Sequence, residues 1–185
     1  QMASLELIAS TETITADESL EIMATRIDVN GNRLPISIPL ENWTQLADGS
    51  LTVGIPHVWV PTFQGTKTLT VTYESFTEDI SVFVSRGLLD NLELIVSDQV
   101  SNDLLFSITA DQSIDASIKA FDSKGNIWYP LVNWSISHST WANQNDLTKT
   151  TNSTDTVFSP VHESTESYVL TATYYEQGLV HEEQI

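Results

Sequence analysis

Apolar residues recur at every second position in many short segments of the chain. Leu20, Ile22 and Ala24 follow this spacing, and the segment 114–120 carries Ile or Ala at each alternate position. A period of two is typical of β-strands with one buried face. The three-to-four-residue spacing of an amphipathic helix does not persist over a useful length. The pattern therefore predicts an all-β protein without a long helix.

The same series of segments occurs twice, in the same order. The offset between the copies changes from 87 residues at the first matched segment to 101 at the last. Insertions thus fall between the matched segments, where loops tolerate them. The matched pairs are Leu5-Glu-Leu-Ile-Ala-Ser10 with Leu92-Glu-Leu-Ile-Val-Ser97, Asp28-Val-Asn-Gly-Asn32 with Asp122-Ser-Lys-Gly-Asn126, Asn42-Trp-Thr44 with Asn133-Trp-Ser135, and Leu69-Thr-Val-Thr-Tyr73 with Leu170-Thr-Ala-Thr-Tyr174.

The duplication predicts two domains, 1–86 and 87–185, each of the usual size for a domain with its own core. We expect the second domain to be truncated in its last strand. The junction 85–91 contains too little Gly and Ser for a long flexible coil. The sequence therefore predicts a semi-rigid, end-to-end pair of domains.

The chain is strongly acidic, with 25 acidic against 7 basic residues and a formal charge of −18. Such a surface repels nucleic-acid phosphates and anionic lipid headgroups. The chain has no cysteine, which excludes disulfides, thiolate zinc sites and a cysteine nucleophile. It also lacks an apolar run of about 18 residues that would span a bilayer. We expect no nucleic-acid partner and no direct membrane insertion.

Several short motifs recur in both copies and together predict a fold. Each copy has about seven short strands, a tryptophan in an early-middle strand and a tyrosine late in the copy, as in an immunoglobulin-like sandwich. The segments are the Asp-x-x-Gly-Asn turns at 28–32 and 122–126, Trp43, Trp134, Gly65-Thr-Lys-Thr-Leu-Thr-Val71, Tyr73 and Tyr174.

With these motifs, both copies resemble the bacterial and archaeal Ig-like repeats that occur in tandem in invasin- or intimin-type adhesins and S-layer proteins. The resemblance covers nearly the whole chain. It implies two tandem immunoglobulin-like β-sandwiches at the cell surface or outside the cell. It also implies a role in spacing or display, in some cases in adhesion, with neighbouring domains of the same longer chain as partners.

Two groups of oxygen-bearing side chains are weak calcium candidates, and no other cofactor is expected. Asp28, Asn30 and Asn32 resemble the start of a calcium loop, although the same residues are typical of a tight turn. At the junction, Asp90, Asp98 and Asp103 could approach the acidic residues 74–79 of the first copy. No contiguous ligand pattern joins the two sets.

Aromatic residues divide into matched and unmatched positions. Trp43 and Trp134 are matched and are predicted to fill the space between the two sheets of each domain. Trp128, Tyr129 and Trp141 have no counterpart in the first copy. Exposed aromatics among polar residues can stack on a sugar ring or anchor a protein partner. The alternative is that such a loop aromatic folds back over the end of the sandwich.

No catalytic motif is recognisable in the sequence. The four histidines have no metal-ligand spacing and are expected at the surface or at sheet edges. No nucleophile elbow or phosphate-binding glycine loop is present. We therefore expect a non-enzymatic protein. Asn152 is a candidate for glycosylation, because its Asn-Ser-Thr triplet lies in a polar, loop-like segment.

Two functions remain open at this point. The first is a structural spacer or display segment of a larger extracellular or cell-surface protein. The second is a glycan- or protein-binding module that uses the unmatched aromatics of the second domain.

Overall fold

The computed structural model describes residues 1–184 except 45, 47, 98, 101–107, 110, 142, 163 and 165. By their contacts, these residues form two units. The first comprises Gln1–Gly87 with Lys124–Asn126, and the second comprises Leu88–Ser123 with Ile127–Ile185.

The first unit contains two β-sheets. One has the order β1-β3-β6-β5, with β4 paired to the same edge of β3 as β6, and the other has the order β2-β8-β7. This division of strands between two sheets is that of an immunoglobulin-like sandwich. The strands are β1 (Met2–Ala9), β2 (Thr13–Thr15), β3 (Leu20–Asp28), β4 (Arg33–Ile36), β5 (Gly49–Thr52), β6 (His57–Pro61), β7 (Gly65–Tyr73) and β8 (Phe76–Ser85).

The second unit also contains two β-sheets, but its strand β10 pairs with β9 rather than with the last strand of the unit. One sheet has the order β10-β9-β11-β12, with β14 also paired to β11, and the other has the order β13-β15-β16. The strands are β9 (Leu89–Val96), β10 (Gln99–Val100), β11 (Ile114–Asp122), β12 (Ile127–Trp128), β13 (Asn133–Ser137), β14 (Asp155–Phe158), β15 (Val169–Glu176) and β16 (Leu179–Gln184). The expectation that the last strand of this domain is truncated stays a prediction.

The predicted all-β fold class is confirmed. In the part of the chain that the structure describes, the helical segments are two short 3₁₀ helices, Leu40–Asn42 and Gln144–Asp146. Leu20, Ile22 and Ala24 of β3 are fully buried, as the period-2 pattern predicts.

Each unit has its own hydrophobic core. Trp43 and Trp59 lie in the first core, and Trp134 and Phe158 occupy the matched positions in the second. The prediction that Trp43 and Trp134 fill the space between sheets is therefore confirmed. Truncation of such a buried aromatic to alanine costs about 3–5 kcal/mol, a large part of the stability of a domain.

One histidine does not lie where the sequence indicated. His57 was expected at the surface or at a sheet edge, but it is 0% exposed in the first core. The Ile38 N–H donates to its Nε2 at 3.2 Å, and the Trp43 and His57 rings lie edge to face with 5.2 Å between their centroids. The expectation was wrong because His57 opens β6 on the inward face of the strand, where its neighbour Trp59 also points.

Candidate functional site

The connections of the second unit around Trp141 are longer than their counterparts in the first unit. From Trp134 to Phe158 the chain advances 24 residues, whereas from Trp43 to Trp59 it advances 16. The first unit closes its sandwich with the shorter connection. The additional residues of the second unit are therefore not needed for closing the sandwich itself.

A second connection is also longer in the second unit. The chain advances 10 residues from Pro160 to Leu170, against 8 from Pro61 to Leu69. The following strand also begins later, because β15 starts at Val169 whereas β7 starts at Gly65. The described residues between Ser159 and Tyr168 therefore lie outside strands, and some of them contact the loop that follows β13.

Contacts between aromatic rings join these two loops. The rings of Trp141 and His162 lie 4.8 Å apart between centroids, at an interplanar angle of 32°. The rings of His138 and Tyr168 lie 4.5 Å apart, also at 32°. Tyr168 in turn contacts the buried Phe158, with 5.3 Å between centroids. We call His138, Trp141, His162 and Tyr168 the aromatic platform.

The His138 side chain accepts hydrogen bonds from the backbone next to it, including that of Trp141. The N–H groups of Thr140 and Trp141 both donate to His138 Nδ1, each at 3.0 Å. With Nδ1 as the acceptor, the hydrogen-bond network assigns the ring proton to Nε2, which donates to Ser164 Oγ at 2.8 Å. One imidazole thus orders its own loop and joins it to the neighbouring loop.

Further hydrogen bonds hold the platform. The Ser139 hydroxyl donates to the Glu166 carboxylate, and Tyr168 Oη donates to the His162 carbonyl oxygen at 3.3 Å. Gln144 binds the backbone of β13 twice, because its Nε2 donates to Ile136 O at 2.8 Å and its Oε1 accepts from Ile136 N. These bonds connect the two loops to each other and to β13.

The second repeat, which carries the platform, has a net negative charge. The sequence from 88 to 185 contains fourteen acidic residues and three basic ones. One of the basic residues, Lys149, pairs with Asp155 at 2.6 Å and lowers the pKa of that carboxyl. This surface disfavours anionic ligands.

The structure places the three predicted ligand-binding aromatics differently. Trp128 pairs with Ala120 in β11 and packs partly buried against the second core. Tyr129 follows it and is 62% exposed, and Trp141 is 46% exposed on the platform. The ligand-binding role of all three stays a prediction. Sequence reasoning missed His138, His162 and Tyr168, for which the lengthened loops of the second copy were the available signal.

The first calcium candidate forms a hydrogen-bonded turn. Asp28 Oδ1 accepts from the N–H groups of Asn30 at 2.8 Å and Asn32 at 2.9 Å, and Asp28 Oδ2 accepts from Asn32 Nδ2 at 2.8 Å. The side-chain bond from Asn32, followed by its backbone bond, lowers the pKa of Asp28. Gly31 completes the reversal with a φ of +82°. This geometry is that of a tight turn closed by its own aspartate.

One of the three calcium candidates at the junction lies among the described residues. Asp90 is exposed on β9, and Asp98 and Asp103 lie outside the described residues. Across those described residues, no three His, Cys, Asp or Glu side chains gather as a metal ligand set. Calcium binding stays a prediction, which calorimetric titration after chelation would test.

Asn152 lies in an exposed bend before β14, with a φ of +53°. Asparagine adopts this conformation more readily than most residues. Its glycosylation stays a prediction.

Comparisons with known proteins identify similar structures but no family. No protein-family model matches the chain, and no curated protein sequence matches it. Domains 1–6 of the surface layer protein SbsC align with the whole chain at 15% identity and a TM-score of 0.37. The Yersinia pseudotuberculosis adhesin InvE aligns with 98% of it at 16% identity and a TM-score of 0.42. The chain spans 28% of the SbsC chain and 58% of the InvE chain. At these identities and scores, the likeness carries no functional information.

The described residues contain no helix that is both long and apolar enough to cross a membrane.

Proposed function

We propose that the chain is a non-enzymatic, load-bearing spacer of a larger secreted or cell-surface protein, whose neighbouring domains it holds apart. The duplication supports this role, because each repeat closes its own sandwich around its own core. Modules of this kind can be joined in series without sharing a core. The acidic surface is also suited to a salty medium outside the cell, in which charge repulsion is screened.

The observation that carries the proposal is the parallel pairing of β2 with β8 in the first unit. Thr13, Ile14 and Thr15 pair with Phe83, Val84 and Ser85. Strand β2 lies near the start of the unit and β8 is its last strand. A pull on the two ends of the unit therefore moves these parallel strands in opposite directions along their length.

In that direction the ladder is loaded in shear. The Phe83 N–H donates to Glu12 O and the Ala16 N–H donates to Ser85 O, both at 2.9 Å. These bonds lie across the pulling direction, so they resist together instead of breaking one after another. Ser85 Oγ adds a bond to Ile14 O at 3.3 Å. We call this ladder the β2-β8 clamp and expect it to resist force along the chain.

Single-molecule force spectroscopy on the full chain, pulled from its two ends, tests this role. Phe83→Pro removes the N–H that bonds Glu12 O, and the replaced ring is 51% exposed. Phe83→Ala is the matched control, because it removes the same ring but keeps the N–H. We expect Phe83→Ala to unfold at the wild-type force and Phe83→Pro at a clearly lower force. The spacer proposal fails if the wild-type first unit yields without a resolvable force peak, or if both variants unfold alike.

A further inference from the structure

We propose that the aromatic platform of the second unit binds a neutral sugar residue of a glycan, with the pyranose ring stacked on Trp141. This proposal goes beyond the spacer role and does not depend on it. The observations that carry it are the stacked rings, the hydrogen-bonding groups around them, the local charge and the two lengthened loops.

Trp141 is exposed beside its contact with His162. The two rings lie 4.8 Å apart between centroids, and Trp141 is still 46% exposed. The proposed site uses this exposed indole surface. The C–H face of a pyranose is apolar and flat, and it pairs with such a ring because both surfaces leave water on contact.

The two loops of the platform also carry groups that bind sugar hydroxyls. Ser139, Thr140 and Ser164 are exposed and carry hydroxyls that both donate and accept, and the exposed Glu166 carboxylate accepts. A carboxylate flanked by hydroxyls can accept from neighbouring hydroxyls of one sugar ring. The combination of an apolar face and a polar rim is the usual composition of a specific small-ligand site.

The negative charge of the second repeat favours neutral over anionic sugars. Fourteen acidic and three basic residues between 88 and 185 repel sialylated, sulfated or uronic-acid glycans. Arginine, the usual partner of such anions, does not occur in that segment of the sequence. A neutral hexose or N-acetylhexosamine is the class that fits.

Contacts within the protein hold the platform in place. His138 holds the Trp141 backbone, and Tyr168 rests on the buried Phe158. A preformed surface loses little conformational entropy on binding, which favours affinity. Both loops that build it are longer than their counterparts in the first unit, which forms the same sandwich without them. The platform thus lies on two of the segments that are longer in the second repeat.

An array of immobilised glycans tests the proposal with the full chain. The probes are neutral oligosaccharides that contain glucose, galactose, mannose or N-acetylglucosamine, with sialylated and sulfated glycans as the anionic set. We expect saturable binding to at least one neutral probe and none to the anionic set. The proposal is overturned if the chain, applied at up to millimolar concentration, binds no neutral probe. It is also overturned if the chain binds the anionic glycans more tightly than the neutral ones.

Variants then locate the binding surface. Trp141→Ala should weaken binding of the retained neutral probe by about tenfold or more. Ser164→Ala should weaken it by a smaller factor, while Tyr175→Ala is the control, because Tyr175 is a similarly exposed aromatic outside the platform. Circular dichroism of each variant verifies that the second unit is folded. Unchanged binding in Trp141→Ala, or an equal loss in Tyr175→Ala, overturns the assignment to the platform.

Discussion

Trp134 Nε1 donates a hydrogen bond of 3.2 Å to the carbonyl oxygen of Ser153, while the matched Trp43 Nε1 is buried without a partner among the described residues. The two matched tryptophans therefore differ in whether the buried indole N–H has a hydrogen-bond partner. A buried polar group without a partner costs about 1–3 kcal/mol.

The two tryptophans should consequently respond differently to phenylalanine. Trp43→Phe removes an unsatisfied N–H, which offsets part of the lost packing, whereas Trp134→Phe also breaks a hydrogen bond. We expect Trp134→Phe to lower the free energy of unfolding of its unit by about 1–2 kcal/mol more than Trp43→Phe lowers that of the first. Urea titration of the full chain measures both losses. Equal losses would show that the Ser153 hydrogen bond contributes nothing to stability.

The buried His57 makes the stability of the first unit depend on pH. Burial lowers the pKa of His57 from its ordinary value of 6.5, against a smaller opposing effect of a hydrogen bond with the Ile36 backbone. Below pH 6.5 the unfolded state therefore binds a proton that the folded state does not. The stability is fully present above that pH and falls as the pH drops towards the folded-state pKa.

We expect the first unit to lose up to about 1.4 kcal/mol per pH unit in that window, the limit for one proton. Urea titrations at several pH values between 7 and 5 measure this slope. His57→Gln should flatten the slope, even if it lowers stability at every pH. His162→Gln is the control at an exposed position, and it should leave the slope of the first unit unchanged. A slope that survives His57→Gln would contradict the assignment to this histidine.

Asp28 produces a pH dependence of the same sign as His57, but at a lower pH. The Asn32 side chain, then the backbone bonds from Asn32 and Asn30, lower the pKa of Asp28 below 3.8. Its contribution to stability is thus present above pH 3.8 and is lost as the pH falls through the folded-state pKa. NMR titration of the Asp28 carboxyl should give a midpoint below that of an unstructured aspartate.

Variants of Asp28 separate charge from turn geometry. Asp28→Asn keeps an oxygen that accepts from the backbone N–H groups, whereas Asp28→Ala keeps none. We therefore expect Asp28→Ala to lower the melting temperature of the first unit more than Asp28→Asn. Identical melting temperatures for the two variants would show that the turn does not need this acceptor.

The strands and turns were predictable from the sequence because their causes are local. Alternation in 114–120 places Ala116, Ile118 and Ala120 in the second core, and these residues are buried there. The Asp28 turn follows from aspartate and glycine within five positions. Each of these features depends on residues that are neighbours along the chain.

The burial of His57 and the aromatic platform were not predictable in the same way. The contact of Trp141 with His162 joins residues 21 positions apart and depends on the path of two irregular loops. A histidine gives no periodic signal, so its burial becomes visible only when the register of β6 is known. From the sequence pattern alone, Trp128 and Trp141 were both candidate ligand-binding aromatics, although Trp128 packs against the core.

The central claim is that the chain consists of two self-contained modules in series. The number and length of the unfolding steps of the full chain under force test this claim most directly. We expect two separate unfolding steps, each lengthening the chain by about 30 nm, since about 90 residues extend by roughly 3.4 Å each. Trp134→Ala should weaken or remove one step and leave the other at its wild-type force. A single step of about twice that length, or the loss of both steps in Trp134→Ala, would contradict the account, because it would mean that the repeats unfold as one unit.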